Sequence, residues 1–167
     1  MNLVKVNKKQ KRIFIISAIL FIFLYYFIQG ISGKKIIYNT TDSLDGYVYL
    51  LDKNNKEVTK GSLVAFTPPQ NPLYENSRFL KQVWGVPGDT VEFKKDGTFY
   101  INNTYKGKAK SKSSSEKPIK LAHAESGKIK DGEYFVATPH PDSFDSRYKY
   151  IGNINEKNII GTARRII

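Results

Sequence analysis

The stretch that decides the fold is residues 78–90, RFLKQVWGVPGDT. Its apolar residues predict a β-strand that ends at the Pro-Gly-Asp turn. Because side chains alternate between the two faces of a strand, Phe79, Lys81 and Val83 are predicted to share one face. A lysine between two apolar neighbours either extends its amine to solvent or is desolvated, which lowers its pKa. The strand therefore contains one lysine with either a structural or a chemical role.

The net charge of +12 is concentrated in two segments of the 167-residue chain. Residues 1–12 contain five basic residues and no acid, and residues 106–120 contain six lysines and one glutamate. Each segment contributes +5, so the remainder of the chain carries only +2. A nucleic-acid-binding face would need this excess on the folded surface, and nucleic acid is therefore not an expected partner. The chain has no cysteine, which excludes disulfides and a cysteine nucleophile.

Residues 13–31 contain no charged side chain. As a helix they would span about 28 Å, close to the ~30 Å hydrocarbon core of a bilayer. The basic residues before them predict a cytoplasmic N-terminus by the positive-inside rule. A cleavable signal peptide would have a shorter apolar region and a small-residue cleavage site, and the sequence has neither. We expect a single-pass anchor in the bacterial cytoplasmic (inner) membrane, with residues 1–12 inside and residues 32–167 on the outer, periplasmic side.

The part of the chain after the anchor is predicted to be mainly β. Short β-prone segments alternate with turn residues, and no segment after residue 31 has helical periodicity. About 135 residues remain to build a single domain. Residues 106–130 lack any apolar periodicity and are predicted to be a flexible surface insertion that buries nothing. The predicted strands cover residues 36–38, 47–51, 61–66, 79–86, 90–93, 98–101, 132–137 and part of 158–167.

Few residue types in the chain can support catalysis. The only histidines, His123 and His140, lack metal-ligand spacing, so neither a metal nor another cofactor is expected. Asp142 and Asp145 lie in a polar loop, where solvated carboxylates are the rule. A Ser–His–Asp triad stays possible but nothing favours it. The most economical pair is serine with a desolvated, neutral lysine, and Lys81 is the lysine in an apolar strand. Composition alone does not choose the serine.

Four segments, in the same order along the chain, resemble the conserved boxes of type I signal peptidases, which are membrane-anchored Ser–Lys proteases. Residues 39–44 resemble the nucleophile box, 60–66 the following strand, 79–89 the lysine box and 143–148 the C-terminal box. Within the family, the TraF-type peptidases of conjugative transfer systems are most similar. The resemblance implies a signal-peptidase-like β catalytic domain behind one transmembrane helix. It also implies cleavage of signal or leader peptides from exported preproteins, with pilin or conjugative-transfer proteins as candidate substrates.

The resemblance implies a catalytic role for each matching residue. Ser43 is the implied nucleophile and Lys81 the implied general base. The backbone N–H of Ser43 and the hydroxyl of Thr41 form the implied oxyanion hole. Without the family, Ser43 would be interpreted as an ordinary turn residue. Ser43 lies twelve residues beyond the predicted anchor, at most ~40 Å away, so it would act close to the outer membrane surface.

Three residues of the C-terminal box are implied to support the dyad. Ser143 orients the Lys81 amine, and Asp145 and Arg147 form an ion pair. After Ser43 the chain has Leu44 and then Asp45 where the family has a proline, so this turn departs from the family pattern. Two alternatives stay open: a general leader peptidase for secretory preproteins, and a catalytically silent, membrane-anchored component of a secretion or conjugation system.

Overall fold

The computed structural model describes residues 7–69, 77–114 and 120–167. Within these ranges the chain forms one long helix, eleven strands and a short 3-10 turn. In chain order they are α1 (Lys8–Ser32), β1 (Lys34–Tyr38), β2 (Val48–Asp52), β3 (Leu63–Phe66), β4 (Phe79–Gly85), β5 (Thr90–Phe93), β6 (Thr98–Ile101), β7 (Thr104–Lys108), β8 (Gly127–Lys128), β9 (Glu133–Ala137), β10 (Ile154–Asn155), the 3-10 turn (Glu156–Asn158) and β11 (Ile159–Arg165).

Helix α1 contains the whole apolar segment 13–31 and starts earlier, within the basic segment. Asn7 caps its N-terminus by accepting a hydrogen bond from the Lys9 N–H, and Gln10 completes a capping box. Gly33 ends the helix with φ of 65°, a left-handed conformation that glycine adopts without steric cost. The helix is long and apolar enough to cross a membrane, and none of its side chains is buried.

The larger of two antiparallel sheets has the strand order β1-β2-β11-β3-β4-β9-β10. Strand β4 therefore lies inside the sheet, between β3 and β9. The predicted alternation holds along β4, where Lys81, Val83 and Gly85 are buried and the intervening Gln82 and Trp84 are half-buried. Val64, the register partner of Lys81 on β3, is fully buried and belongs to the main apolar core. Lys81 thus projects from a rigid strand beside a dry core.

The smaller sheet has the order β7-β6-β5-β8 and packs around Phe99, Ile101 and Phe135. Its central hairpin, β5 to β6, turns at Asp96-Gly97, where Gly97 has a φ of 87°. Burying aromatic and aliphatic side chains of this size stabilises a fold by roughly 1.5–3 kcal/mol each. The prediction of a mainly β fold is confirmed.

Residues 106–130 differ from the prediction of a segment that buries nothing. Strands β7 and β8 include part of this range, and Ala109 and Leu121 are buried at 3% and 7% exposure against Tyr148. Isolated apolar residues among lysines and serines have no periodicity, so the sequence pattern missed them. Their burial depends on contact with the distant Tyr148. The segment 115–119 lies outside the described residues.

Candidate active site

A cleft of about 770 Å³ brings together four of the residues that the sequence predicted as functional. Thr41 and Ser43 come from the loop between β1 and β2, Lys81 from β4, and Ser143 from the loop after β9. The remaining pair, Asp145 and Arg147, does not line this cleft. Three segments that are far apart in the chain therefore meet at one site.

The Lys81 amine is desolvated. The residue is 7% exposed, and its Nζ donates a hydrogen bond to Ser143 Oγ at 2.8 Å. Nζ also lies 5.6 Å from the ring centroid of Phe79. Burial lowers the pKa of Lys81 to about 8, with the Asp145 carboxylate opposing this shift and the Arg147 guanidinium adding to it. An appreciable fraction of the amine is therefore neutral near pH 8, as a general base requires.

Asn39 holds the loop that carries Ser43. Its side-chain amide donates to the carbonyl oxygens of Leu44 at 2.9 Å and Gly46 at 3.2 Å. Its side-chain oxygen accepts from Thr41, at 3.3 Å from the backbone N and 3.2 Å from Oγ1. One short side chain thus ties both ends of the turn around Ser43. Asn39 lies within the segment that resembles the nucleophile box, but the sequence predicts no role for it, because its partners are set by the folded loop.

The Ser43 hydroxyl forms a hydrogen bond with Thr41. The two hydroxyl oxygens, Thr41 Oγ1 and Ser43 Oγ, lie 2.8 Å apart, and either can be the donor. Within the described residues, Ser43 Oγ forms no hydrogen bond to Lys81, and the Ser43 N–H has no acceptor. The serine hydroxyl must turn from Thr41 toward Lys81 before proton transfer. Catalytic hydrogen bonds commonly form only when substrate is bound.

Asp145 and Arg147 form a buried ion pair beneath the loop that carries Ser143. The guanidinium contacts the carboxylate twice, with Nη2 to Oδ2 at 2.7 Å and Nε to Oδ1 at 2.8 Å. Arg147 Nη2 also donates to the backbone oxygens of His140 at 2.9 Å and Ser143 at 3.1 Å. These additional hydrogen bonds to backbone oxygens help to offset the cost of burying the two charges. The pair positions the backbone of Ser143, which in turn contacts Lys81.

Gly46 lies in the turn after Ser43, close to Arg165 and Ile167. It has a φ of 95°, and a Cβ at this position would lie 2.5 Å from Cδ of Arg165 and 2.7 Å from the oxygen of Ile167. Strand β11 and the residues after it cross the turn at this point. A side chain at position 46 is therefore excluded by both the backbone angle and the available space.

Comparison with known proteins identifies the family. The family model described as "Signal peptidase, peptidase S26" matches residues 6–167. The chain belongs to this signal peptidase family. Signal peptidase I of Bacillus licheniformis is 30% identical over 154 residues, which cover 86% of this chain and 76% of the relative. Signal peptidase I P of Bacillus subtilis subsp. natto is 29% identical over 148 residues, covering 84% and 75%.

Among solved structures, a signal peptidase I from Enterococcus faecalis has 26% identity and a TM-score of 0.43, covering 65% of this chain and 97% of that one. The family model and the curated relatives show that the chain belongs to a family of serine endopeptidases that cleave leader peptides, so the predicted resemblance is confirmed at the level of the family. The relatives named above are all called signal peptidase I. The similarity to the TraF type stays a prediction.

Proposed function

We propose that this protein is a membrane-anchored Ser–Lys endopeptidase, with Ser43 as nucleophile and Lys81 as general base. The observation that carries the proposal is the desolvated Lys81 amine, which lines the same cleft as Ser43 and is oriented by Ser143. A lysine can act as a base near neutral pH only when its surroundings favour the uncharged form. The lowered pKa of about 8 meets that requirement.

The reaction begins when Ser43 Oγ attacks the scissile carbonyl and its proton passes to the neutral Lys81 Nζ. The tetrahedral oxyanion accepts hydrogen bonds from the Ser43 N–H and the Thr41 hydroxyl, each contributing about 3–4 kcal/mol. Collapse breaks the peptide bond, and the leaving amine takes the proton from the Lys81 ammonium. Water then attacks the acyl ester with Lys81 again as base, which frees the leader peptide and regenerates Ser43.

The cleft suits an extended leader peptide. Strand β1 lines the cleft and is an edge strand of the larger sheet within the described residues. Its free backbone side can therefore pair with a substrate strand. The remaining lining is mostly apolar and includes Ala65, Leu80 and Phe144. Such a surface accommodates small apolar residues before the scissile bond.

The anchor would bring the cleft to the membrane. Ser43 lies eleven residues after the end of α1, a distance of at most ~40 Å even if extended. With the basic N-terminus in the cytoplasm, the catalytic residues would face the outer side, where the cleavage site of an exported preprotein emerges.

The proposal is tested with the full-length protein in detergent micelles. We expect Ser43→Ala and Lys81→Ala each to abolish preprotein cleavage while leaving the fold intact. Ser62→Ala and Lys128→Ala, which alter residues outside the cleft, should cleave normally. An active-site-directed serine reagent should label the wild type and not Ser43→Ala. Wild-type cleavage by either dyad variant would exclude the mechanism, and absence of both label and cleavage in the wild type would indicate a catalytically silent component.

The TraF-type similarity adds a finer proposal about substrates. We expect cleavage of a pilin-type or conjugative-transfer precursor in preference to a generic secretory preprotein. Incubating the same enzyme preparation with both precursors decides between a dedicated and a general leader peptidase. Faster cleavage of the secretory preprotein would favour the general enzyme.

A further inference from the structure

A second cleft, of about 600 Å³, also reaches Ser43. Ser43 lines both clefts, whereas Lys81 and Ser143 line only the first. The two clefts differ in chemistry. The first cleft is lined by more basic than acidic residues, namely Lys35, Lys53, Arg78 and Lys81 against Asp142, whereas the second is lined by Asp42 and Asp45 against Arg165.

The position of the clefts assigns them to the two halves of a substrate. Strand β1, which begins two residues after α1, lines the first cleft and not the second. The first cleft thus continues toward the proposed anchor, where the leader peptide would be held. A chain that crosses Ser43 from the first cleft enters the second. The second cleft therefore receives the residues after the scissile bond, which become the start of the mature protein.

The charges in the second cleft are unbalanced. Asp42 and Asp45 are exposed, and within the described residues neither carboxylate forms a hydrogen bond or an ion pair. Arg165 supplies one opposing charge, and its side-chain stem packs across Gly46. His140 also lines the cleft, and its Nδ1 accepts a hydrogen bond from the Asp142 N–H at 3.2 Å. Two free carboxylates against one guanidinium leave the cleft net negative near pH 8.

We propose that the second cleft binds the first residues of the mature chain and selects precursors with a lysine or arginine there. The proposal rests on the function proposed above, because it requires Ser43 to be the nucleophile. It names a specificity that the family relationship does not supply.

The test uses full-length enzyme in micelles and one preprotein with Lys, Gln or Glu at each of the first two mature positions. We expect kcat/KM for Lys to exceed that for Glu by about fivefold, with Gln between them, as for a solvent-exposed ion pair. The ratio of kcat/KM for the Lys substrate to that for the Glu substrate should fall in about 0.5 M NaCl, because salt screens exposed charges. Placing Lys, Gln or Glu at a position far into the mature chain should leave kcat/KM unchanged. Equal rates for the three residues, or a preference for Glu, would overturn the proposal.

Variants of the second cleft should change the Lys-to-Glu ratio of kcat/KM in opposite directions. Asp42→Asn with Asp45→Asn should reduce the Lys-to-Glu ratio to about one, whereas Arg165→Gln should widen it. Asp131→Asn, an exposed carboxylate outside both clefts, is the matched control and should keep the wild-type ratio. An equal loss with all three substrates in the double variant would mean that the carboxylates support the Ser43 loop, and would overturn the proposal. Failure of the wild type to cleave any substrate would contradict the proposed function instead.

Discussion

The Lys81 side chain is buried, and its folded pKa of about 8 lies below the ordinary value of 10.5. Between these two pH values the unfolded chain binds more protons than the folded protein, so stability rises with pH across this window. Below about pH 8 the full penalty of burying the charge is present. A difference of this size corresponds to about 3 kcal/mol. The residue proposed as catalytic base is therefore also a source of instability.

Replacing the amine by an apolar group of similar length should remove this penalty. We expect Lys81→Met to abolish cleavage and to raise the free energy of unfolding at pH 7 by up to about 3 kcal/mol. The gain should shrink between pH 8 and pH 10.5. The free energy of unfolding is measured by urea unfolding in micelles, with the fluorescence of the single tryptophan, Trp84, as the signal. The exposed Lys128→Met is the control and should show no gain. A Lys81→Met variant that is less stable at pH 7 would contradict the prediction.

The same pKa predicts the pH dependence of cleavage. Since only the neutral amine can accept the serine proton, kcat/KM should rise with pH through about 8 and fall about tenfold per pH unit well below it. The measurement is a profile of kcat/KM from pH 5 to 10 with a preprotein substrate. An activity maximum near pH 5 would instead indicate a carboxylate as the base.

At the scale of elements, the site combines a rigid strand with two tied loops. Lys81 belongs to an internal strand, in which Lys81 pairs with Val64 of β3 and the two following residues pair with β9. The Ser43 loop is held by Asn39, and the Ser143 loop is held by Arg147. Each loop therefore depends on one side chain with several backbone partners. Catalysis is sensitive to such positioning, because a shift of about 1 Å can cost about 100-fold in rate.

Asn39 is the element-scale residue whose role is easiest to test. We expect Asn39→Ala to lower kcat by about 10- to 100-fold with a smaller change in KM, because the loop loses its ties to Leu44 and Gly46. Steady-state cleavage kinetics measure both constants. Asn54→Ala is the matched control, since Asn54 bonds the Ser32 carbonyl oxygen at 3.2 Å outside the cleft. Wild-type kcat in Asn39→Ala, or a change confined to KM, would show that Asn39 does not position the nucleophile.

For the whole molecule, orientation across the membrane decides whether the cleft can meet an exported preprotein. The orientation across the membrane can be tested by cysteine labelling, because the chain has no cysteine of its own and only an introduced one would react. We expect Lys128→Cys to react with a membrane-impermeant maleimide added outside intact spheroplasts, and Lys9→Cys to react only after permeabilisation. The reverse pattern would place the catalytic domain in the cytoplasm and contradict the proposed topology.

The sequence by itself determined features that depend on neighbouring residues. Period-two alternation predicted that Lys81 and Val83 share a face, and both are buried. Turn residues marked the ends of most strands, and the uncharged segment 13–31 lies within α1. The four ordered boxes predicted the family and the residues that meet in the cleft. Such features are readable because strand geometry, turn chemistry and helix length are local properties of the chain.

Only the tertiary structure decided whether the Lys81 amine is desolvated. The strand pattern allowed either a solvated or a buried amine, and contact with Ser143, 62 residues away, accompanies its burial. Three other features are likewise visible only in the fold. They are the burial of Ala109 and Leu121, the hydrogen bonds that Asn39 forms within the Ser43 loop, and the charges of the second cleft. Burial, pKa and cleft charge are sums over groups from distant segments, so they are fixed when those segments pack together and have no counterpart in local sequence.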